Sequence, residues 1–413
     1  MTRSRSFTKV IEPAGAGSRA GTWETQGSGP SAYRAFVPKP LPPNPPVAID
    51  AGFAKKLEAA GLALGRLDGI GRLLRGPEEL LYSYVRKEAV LSSQIEGTQS
   101  SLADLLLHES GDVGGVPVDD LKEVSNYIHA LDYGVELLKT LPMSLRLIRE
   151  VHRVLVTGTR GTHQTPGEFR RSQNWIGGSM PGNAIFVPPP VHEVMPALGA
   201  LEKYFHSSDV PVLLKAGLVH AQFETIHPFL DGNGRVGRML IPLLLVAEGA
   251  LERPWLYMSL HFKRRRSEYY ELLQKVRTDG AWEEWLSFYL DGIAGVADEA
   301  VAKIRDLLRL FEQDRRTVET SRGGSIYQRA ALQSNLDVYD YLRRRIFVRI
   351  PETAEACGTT KPTVARALGE LQHLGIVREV TGKPRSRVFV YSKYLEILNQ
   401  DAAQQAVAED RQS

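Results

Sequence analysis

A mainly helical fold of more than one unit is what this sequence predicts, on three observations. Apolar residues recur at i, i+3, i+4 through most of residues 50–300, strand-like runs in that span are confined to one short segment, and a helix–turn–helix pattern with two alternating strands closes the chain. At 413 residues and 43% hydrophobic composition, the chain can bury a sizeable core divided among two or three units. A net charge of +3 is too small to name a polyanionic partner, so local patches must do that. The single cysteine, Cys357, excludes an intrachain disulfide and a multi-cysteine metal site, which fits a reducing cytoplasm. The longest apolar stretch, Met239 to Ala247, is too short to span a bilayer, and no apolar run follows Arg3 and Arg5. Neither membrane insertion nor secretion is indicated.

Residues 1–48 are rich in Gly, Pro and Ser and end in Pro38 to Pro46, which predicts an extended arm. An N-terminal helical region (49–140) shows apolar helical spacing at Leu57–Leu64 and Leu121–Leu138. A helical core (141–300) shows it at Leu145–Leu155, Val212–Phe223 and Tyr257–Arg277. Within this core, Arg170 to Pro190 places two short apolar runs around a Gly/Pro/Asn turn, predicting a β-hairpin. Prolines after Val187 make it a poor central strand, leaving a free edge that can add an extended peptide. Residues 301–328 are a linker helix region with a polar stretch near Glu312 to Arg322.

Residues 329–400 begin with a helical run, Leu332–Arg345. A helix, a turn at Gly358 and a second helix starting at Thr360 with Pro362 in its first turn follow. Two alternating strands around Gly382 to Ser386 complete a winged helix-turn-helix pattern. Lys361, Arg366, Lys383, Arg385 and Arg387 suit phosphate contacts, and Thr360 and Thr363 stand where a recognition helix meets bases. DNA binding and protein docking or dimerisation both stay open for this unit. Residues 401–413 are a tail.

The densest chemistry lies in His227-Pro-Phe-Leu-Asp-Gly-Asn-Gly-Arg-Val-Gly-Arg238. Gly232 and Gly234 can bare backbone N–H groups to an anion, and the apolar run after Arg238 predicts a helix whose positive end faces the same point. A triphosphate suits that place. His227 is the natural general base, because its unperturbed pKa lies near neutrality. Asp231 offers a hard oxygen to Mg²⁺, which prefers one or two carboxylates plus phosphate oxygens. Asn233 can donate to an α-phosphate oxygen, while Arg235 and Arg238, one turn apart, can hold the β- and γ-phosphates. Phe229 reads as an apolar anchor for the loop.

This segment resembles, position for position, the signature of the Fic family, His-x-Phe-x-Asp/Glu-Gly-Asn-Gly-Arg-x-x-Arg. The resemblance implies a Fic-type helical core with a β-hairpin flap, and transfer of AMP from ATP to a Tyr, Ser or Thr hydroxyl of a target protein or of the chain itself. It places Gly237 with the other nucleotide-binding residues and makes the hairpin the flap that aligns the target. Upstream, Ser92-x-x-x-Glu96-Gly97 is similar to the family's inhibitory element. Its physics is competition: a Glu96 carboxylate paired with Arg238 stands in the ATP site where the γ-phosphate would go. The same residues also read as an ordinary helix end with Gly97 as its cap. Tyr269 and Tyr270 match a Tyr pair that borders the adenine pocket in related proteins. Phosphate-transferring relatives carry a lysine where this chain has Gly234, which favours AMP transfer. A nucleotide-sensing, DNA-binding regulator is the alternative function, and a homodimer stays open.

Overall fold

The computed structural model describes residues 19–74, 77–110, 117–159, 164–321, 326–383 and 385–400. The chain opens on strands β1 (Gly21–Gln26) and β2 (Tyr33–Pro38), an antiparallel pair in which Trp23 faces Phe36. Helices α1 (Ala51–Leu73), α2 (Pro77–Ile95), α3 (Leu102–Glu109) and α4 (Val118–Leu137) follow. Then come α5 (Leu145–Val156), α6 (Val191–Phe205), α7 (Val212–Ile226), α8 (Asn233–Ala247), α9 (Ser259–Arg264), α10 (Arg266–Asp279) and the long α11 (Trp282–Thr320). The chain closes on α12 (Ile326–Arg345), β3 (Phe347–Arg349), α13 (Ile350–Ala356), α14 (Lys361–His373), β4 (Val377–Glu379) and β5 (Val388–Tyr391). The second sheet is antiparallel in the order β3-β5-β4. No helix of the described residues is long and apolar enough to cross a membrane.

Helices α7 and α8 form the centre. Every residue of α7 from Leu213 to Ile226 is buried, His220 and Glu224 included, because the helix meets α6, α8, α10 and α11 at once. Helix α8 buries nearly its whole length against α7, α4, α5 and α2. These two helices are joined by residues 227–232, so the segment richest in chemistry is held between two fully packed rods.

Three expectations need correction. The N-terminal segment is not an extended arm throughout: β1 and β2 fold into a hairpin whose Phe36 and Ala20 share a small apolar cluster with Phe186. The arm's residues 1–18 and the tail 401–413 lie outside the described residues. The hairpin expected at Arg170–Pro190 is a loop closed by one antiparallel bridge, Ile176 to Phe186, around a short turn at Pro181–Asn183. Its later limb is not free, since Phe36 N–H donates to the Val187 carbonyl at 2.9 Å. The helix expected over Tyr257–Arg277 breaks at Arg265, where φ −118° and ψ 42° leave the helical region. There the guanidinium pairs with Glu268 and lies over the Phe288 ring.

Residues 301–320, expected as part of a linker helix region, are the second half of α11. They bury Leu307, Leu310, Phe311, Asp314 and Val318. Tyr339 and Tyr391 of the C-terminal unit donate to the Phe311 carbonyl and the Asp314 carboxylate, each at 2.7 Å. One apolar core therefore runs from α1 to residue 398.

Candidate active site

Helix α7 ends at His227, which takes the left-handed conformation (φ 49°, ψ 59°), and α8 begins after Gly232, also left-handed (φ 78°). The two reversals turn the chain tightly enough to bring His227 beside the positive end of α8. Asn233 stitches the loop: its Oδ1 accepts from Phe229 N–H and its Nδ2 donates to the Phe229 carbonyl, both at 2.8 Å. The amide expected to reach an α-phosphate is thus tied to the loop. Phe229 is fully buried, stacked on His152 with ring centroids 3.7 Å apart.

Asp231 projects from this turn with a half-exposed carboxylate whose Oδ1 accepts from Gly232 N–H at 2.7 Å. Arg235 is buried and spends its charge on Glu123 at 3.1 Å, with Asp231 at 3.5 Å on its other side. Arg238, only 1% exposed, donates from Nε to Ser92 Oγ at 2.8 Å and from Nη2 to the Ser92 carbonyl at 3.0 Å. The same Nη2 reaches Glu96 Oε1 at 2.6 Å. Burial pushes the Glu96 carboxyl up, but Arg238 outweighs it, helped by Arg235 and His227, and the group ends below its ordinary value. It is ionised at neutral pH. Gly234 makes room for it: a Cβ there would lie 2.2 Å from Glu96 Oε1. Gly97, with φ 106°, ends the turn after α2, so the helix-end reading and the pairing reading of this motif hold together.

Two residues fall elsewhere than expected. Gly237 faces α7, where a Cβ would meet Glu224 Oε1 at 2.3 Å, and its carbonyl bonds His220. Tyr269 is a core residue, stacked on Phe262 and hydrogen-bonded to His220 Nε2 at 2.9 Å. Its neighbour Tyr270 is 43% exposed and feels the charges of Glu96 and Arg238, so one tyrosine of the pair borders the site.

Sequence reading missed the residues that hold the loop from behind. His152 Nδ1 accepts from Gly167 N–H at 2.9 Å, which leaves its Nε2–H to donate to the Asp231 carbonyl at 3.0 Å. Arg170 and Asn174 donate to the His227 carbonyl, each at 3.0 Å. None sits at motif spacing from His227, and only burial and long-range contact reveal them. Burial pushes the His227 imidazole down to about 3, with Arg277 and Arg170 adding to the effect and Glu96 opposing it.

In the C-terminal unit, Lys361 and Arg366 are exposed on α14, and Lys383, Arg385 and Arg387 are exposed between β4 and β5. Thr360 caps α14 by accepting from Thr363 N–H, and the two hydroxyls lie 2.9 Å apart.

Helices α7 and α8 thus bring together a histidine, an arginine-bearing helix start and, from the turn after α2, a glutamate paired with that arginine. Residues 142–245 match the Fic/DOC family and residues 54–136 match the Fic/DOC family N-terminal region. Protein adenylyltransferase Fic of Drosophila melanogaster is 29% identical over 254 residues, 59% of this chain and 47% of that protein. Its counterpart in Drosophila virilis is 31% identical over 206 residues, 48% of this chain and 39% of that one. The chain spans about half the length of the curated relatives it matches. A crystal structure of a Fic family protein from Desulfovibrio desulfuricans G20 shares the fold, with TM-score 0.52 and 18% identity over 84% of this chain and 98% of that one.

Proposed function

We propose that this protein transfers AMP from ATP to a hydroxyl side chain of a target protein, or of itself, and that Glu96 restrains the transfer. The observation that carries this reading is the ion pair between Glu96 and Arg238 at the anion-facing start of α8, beside His227. In the transfer, His227 takes the proton of the attacking hydroxyl as its oxygen bonds the α-phosphorus, and the α–β phosphoanhydride bond breaks to release pyrophosphate. Burial keeps the imidazole neutral, hence free to accept that proton. A base works best with a pKa near the working pH, so the reading requires that substrate binding raise His227 from this value. Arg238 neutralises charge on the departing pyrophosphate once Glu96 has moved.

Gly234 and the first N–H groups of α8 face the phosphates, while the Gly232 N–H goes to Asp231 Oδ1. Asp231 fits Mg²⁺: its carboxylate is half-exposed, tied by one backbone N–H and one distant guanidinium, and retains lone pairs for a hard cation. Bound there, Mg²⁺ offsets phosphate charge. Arg235, locked to Glu123, holds Asp231 in place. Tyr270 borders the adenine, and the earlier limb of the flap, near Trp175, aligns the target segment.

The C-terminal unit reads as a winged helix that contacts nucleic-acid phosphates through Lys361, Arg366, Lys383, Arg385 and Arg387; their shared exposure supports this reading. The transfer is tested by incubating the purified chain with ATP and Mg²⁺ and searching peptides by mass spectrometry for covalent AMP. The proposal expects an adduct that is lost in His227→Ala. An adduct of equal yield in that variant, or none even in Glu96→Gly, rejects it.

A further inference from the structure

Arg170 is a cation only 3% exposed, and among the described residues its guanidinium meets no carboxylate. A buried charge without an opposite charge is costly and is kept where something else is gained. Its donors all go to backbone carbonyls: Nε to His227 at 3.0 Å, Nη1 to Ser172 at 3.2 Å, and Nη2 to Pro189 at 2.6 Å and Ile226 at 3.5 Å. Its own N–H donates to the Pro228 carbonyl at 2.8 Å. One side chain and its backbone thus hold three consecutive residues, 226–228, around a histidine in the left-handed region, a conformation that costs a non-glycine residue. Asn174, four residues on, adds a second donor to the His227 carbonyl and one to Phe229. Because Ser172 and Pro189 stand on the two roots of the flap, the fork that holds His227 also fixes where the flap begins and ends.

We infer that Arg170 is a positioning residue for the transfer: its planar fork holds the His227 main chain in the strained turn that aims the imidazole, and locks that turn to the flap carrying the target. Only a guanidinium spreads donors widely enough to reach carbonyls on both sides; a lysine has the charge without the fork. The charged groups around the imidazole are Glu96 from the turn after α2, Arg277 from α10 and Arg170 itself, and the Glu224 backbone of its own helix adds a hydrogen bond.

The rate arm of the test rests on the AMP-transfer reading, and the titration arm does not. In a Glu96→Gly background, Arg170→Gln and Arg170→Lys are compared with their parent for AMP transfer, ATP affinity by calorimetry, and His227 side-chain titration by ¹⁵N NMR. Expected for Arg170→Gln is a kcat lower by roughly 10²-fold with ATP affinity within about threefold, since misplaced chemistry rather than lost binding is the defect. Arg170→Lys should lose about tenfold in kcat, keeping charge but not geometry. The His227 midpoint should rise in Arg170→Gln and stay at the parent's value in Arg170→Lys. A folded Arg170→Gln that transfers within about threefold of its parent overturns the proposal, as does an Arg170→Lys at full rate if the glutamine variant does not fold. Should the parent itself give no transfer, the functional reading has failed and the turn is read directly: a His227 amide, which donates to the Phe223 carbonyl at 2.9 Å, that exchanges at the parent's rate in Arg170→Gln rejects the role of Arg170.

Discussion

At His227 the demands of chemistry and of folding meet, because the residue proposed as the base also ends α7 in a left-handed turn. Replacing it with alanine removes the imidazole but leaves the carbonyl that Arg170 and Asn174 hold. His227→Ala should therefore lower AMP transfer by roughly 10²–10⁴-fold while circular dichroism and the melting temperature stay close to wild type. A variant labelled at the wild-type rate would remove His227 from the mechanism. Asp231→Ala should abolish the dependence of turnover on Mg²⁺ together with most of the turnover, as read from the rate at a series of Mg²⁺ concentrations. Much of this was legible in the sequence. His227, Asp231, Gly232, Gly234 and Arg238 lie within twelve residues, so local spacing already fixes their relation. Arg170, Asn174 and His152 were not, because a buried arginine or histidine reads like any exposed one until the fold brings a carbonyl to it. Tyr269 and Tyr270 were confused for a related reason: adjacent helical residues point about 100° apart, and sequence alone does not say which faces the core.

At the scale of elements, the segment least legible was the N-terminal hairpin. Its glycine and proline content points to an arm, yet Trp23 and Phe36 pack edge-on at 5.0 Å and Phe36 lies 6.0 Å from Phe186 at the base of the flap. Arg277 lies over the same Phe186 ring. The hairpin thus braces a flap that has only one bridge of its own. Phe36→Ala should cost about 3–5 kcal/mol where this small cluster is fully cooperative with the fold, and less where it opens locally. Hydrogen exchange of the Ile176 amide, which donates to the Phe186 carbonyl at 2.8 Å, reads the difference directly. Exchange faster than wild type at Ile176 with unchanged protection in α7 is the expected pattern; no change at Ile176 would mean that the hairpin does not support the flap. The helices around the site were more legible than the flap, since a long apolar period identifies a helix whereas a one-bridge loop has no period to read.

Across the whole molecule, α2 joins the C-terminal unit to the site. Its buried Ser83 meets the Tyr394 hydroxyl at 3.1 Å and Lys87 donates to the Leu398 carbonyl, while its far end delivers Ser92 to Arg238. No sequence pattern announced that contact, since it pairs residues 311 apart in the chain. Stability should depend on pH in a defined way. Burial holds His220 and His227 down to about 3 and His152 and His261 down to about 4. The stability they lend is present above their unfolded value of about 6.5 and is lost as pH falls through the folded values. Burial raises Glu88 and Glu224 to about 7, and the stability these lend is present below about 4.5 and lost as pH rises through 7. Four histidines outweigh two glutamates, so the melting temperature should climb from about pH 5 to pH 6.5 and then level or dip slightly toward neutrality. A fall over that interval would contradict the assignment. For the basic face, duplex binding at low salt should weaken when Lys383, Arg385 and Arg387 are all replaced by Ala, with a shallower salt dependence; no binding to any duplex would leave protein docking as that unit's role.

In the proposed restraint, the Glu96 carboxylate occupies the place Arg238 keeps for the γ-phosphate. The restraint is tested most directly by the initial rate of AMP self-labelling from ATP labelled at the α-phosphate, at saturating nucleotide, in wild type, Glu96→Gly, and Glu96→Gly with Arg238→Ala. A faster rate is expected in Glu96→Gly, and loss of that gain in the double variant, because the freed arginine is what orients the triphosphate. A Glu96→Gly rate equal to or below wild type would contradict the restraint and leave Glu96 as the residue that ends α2.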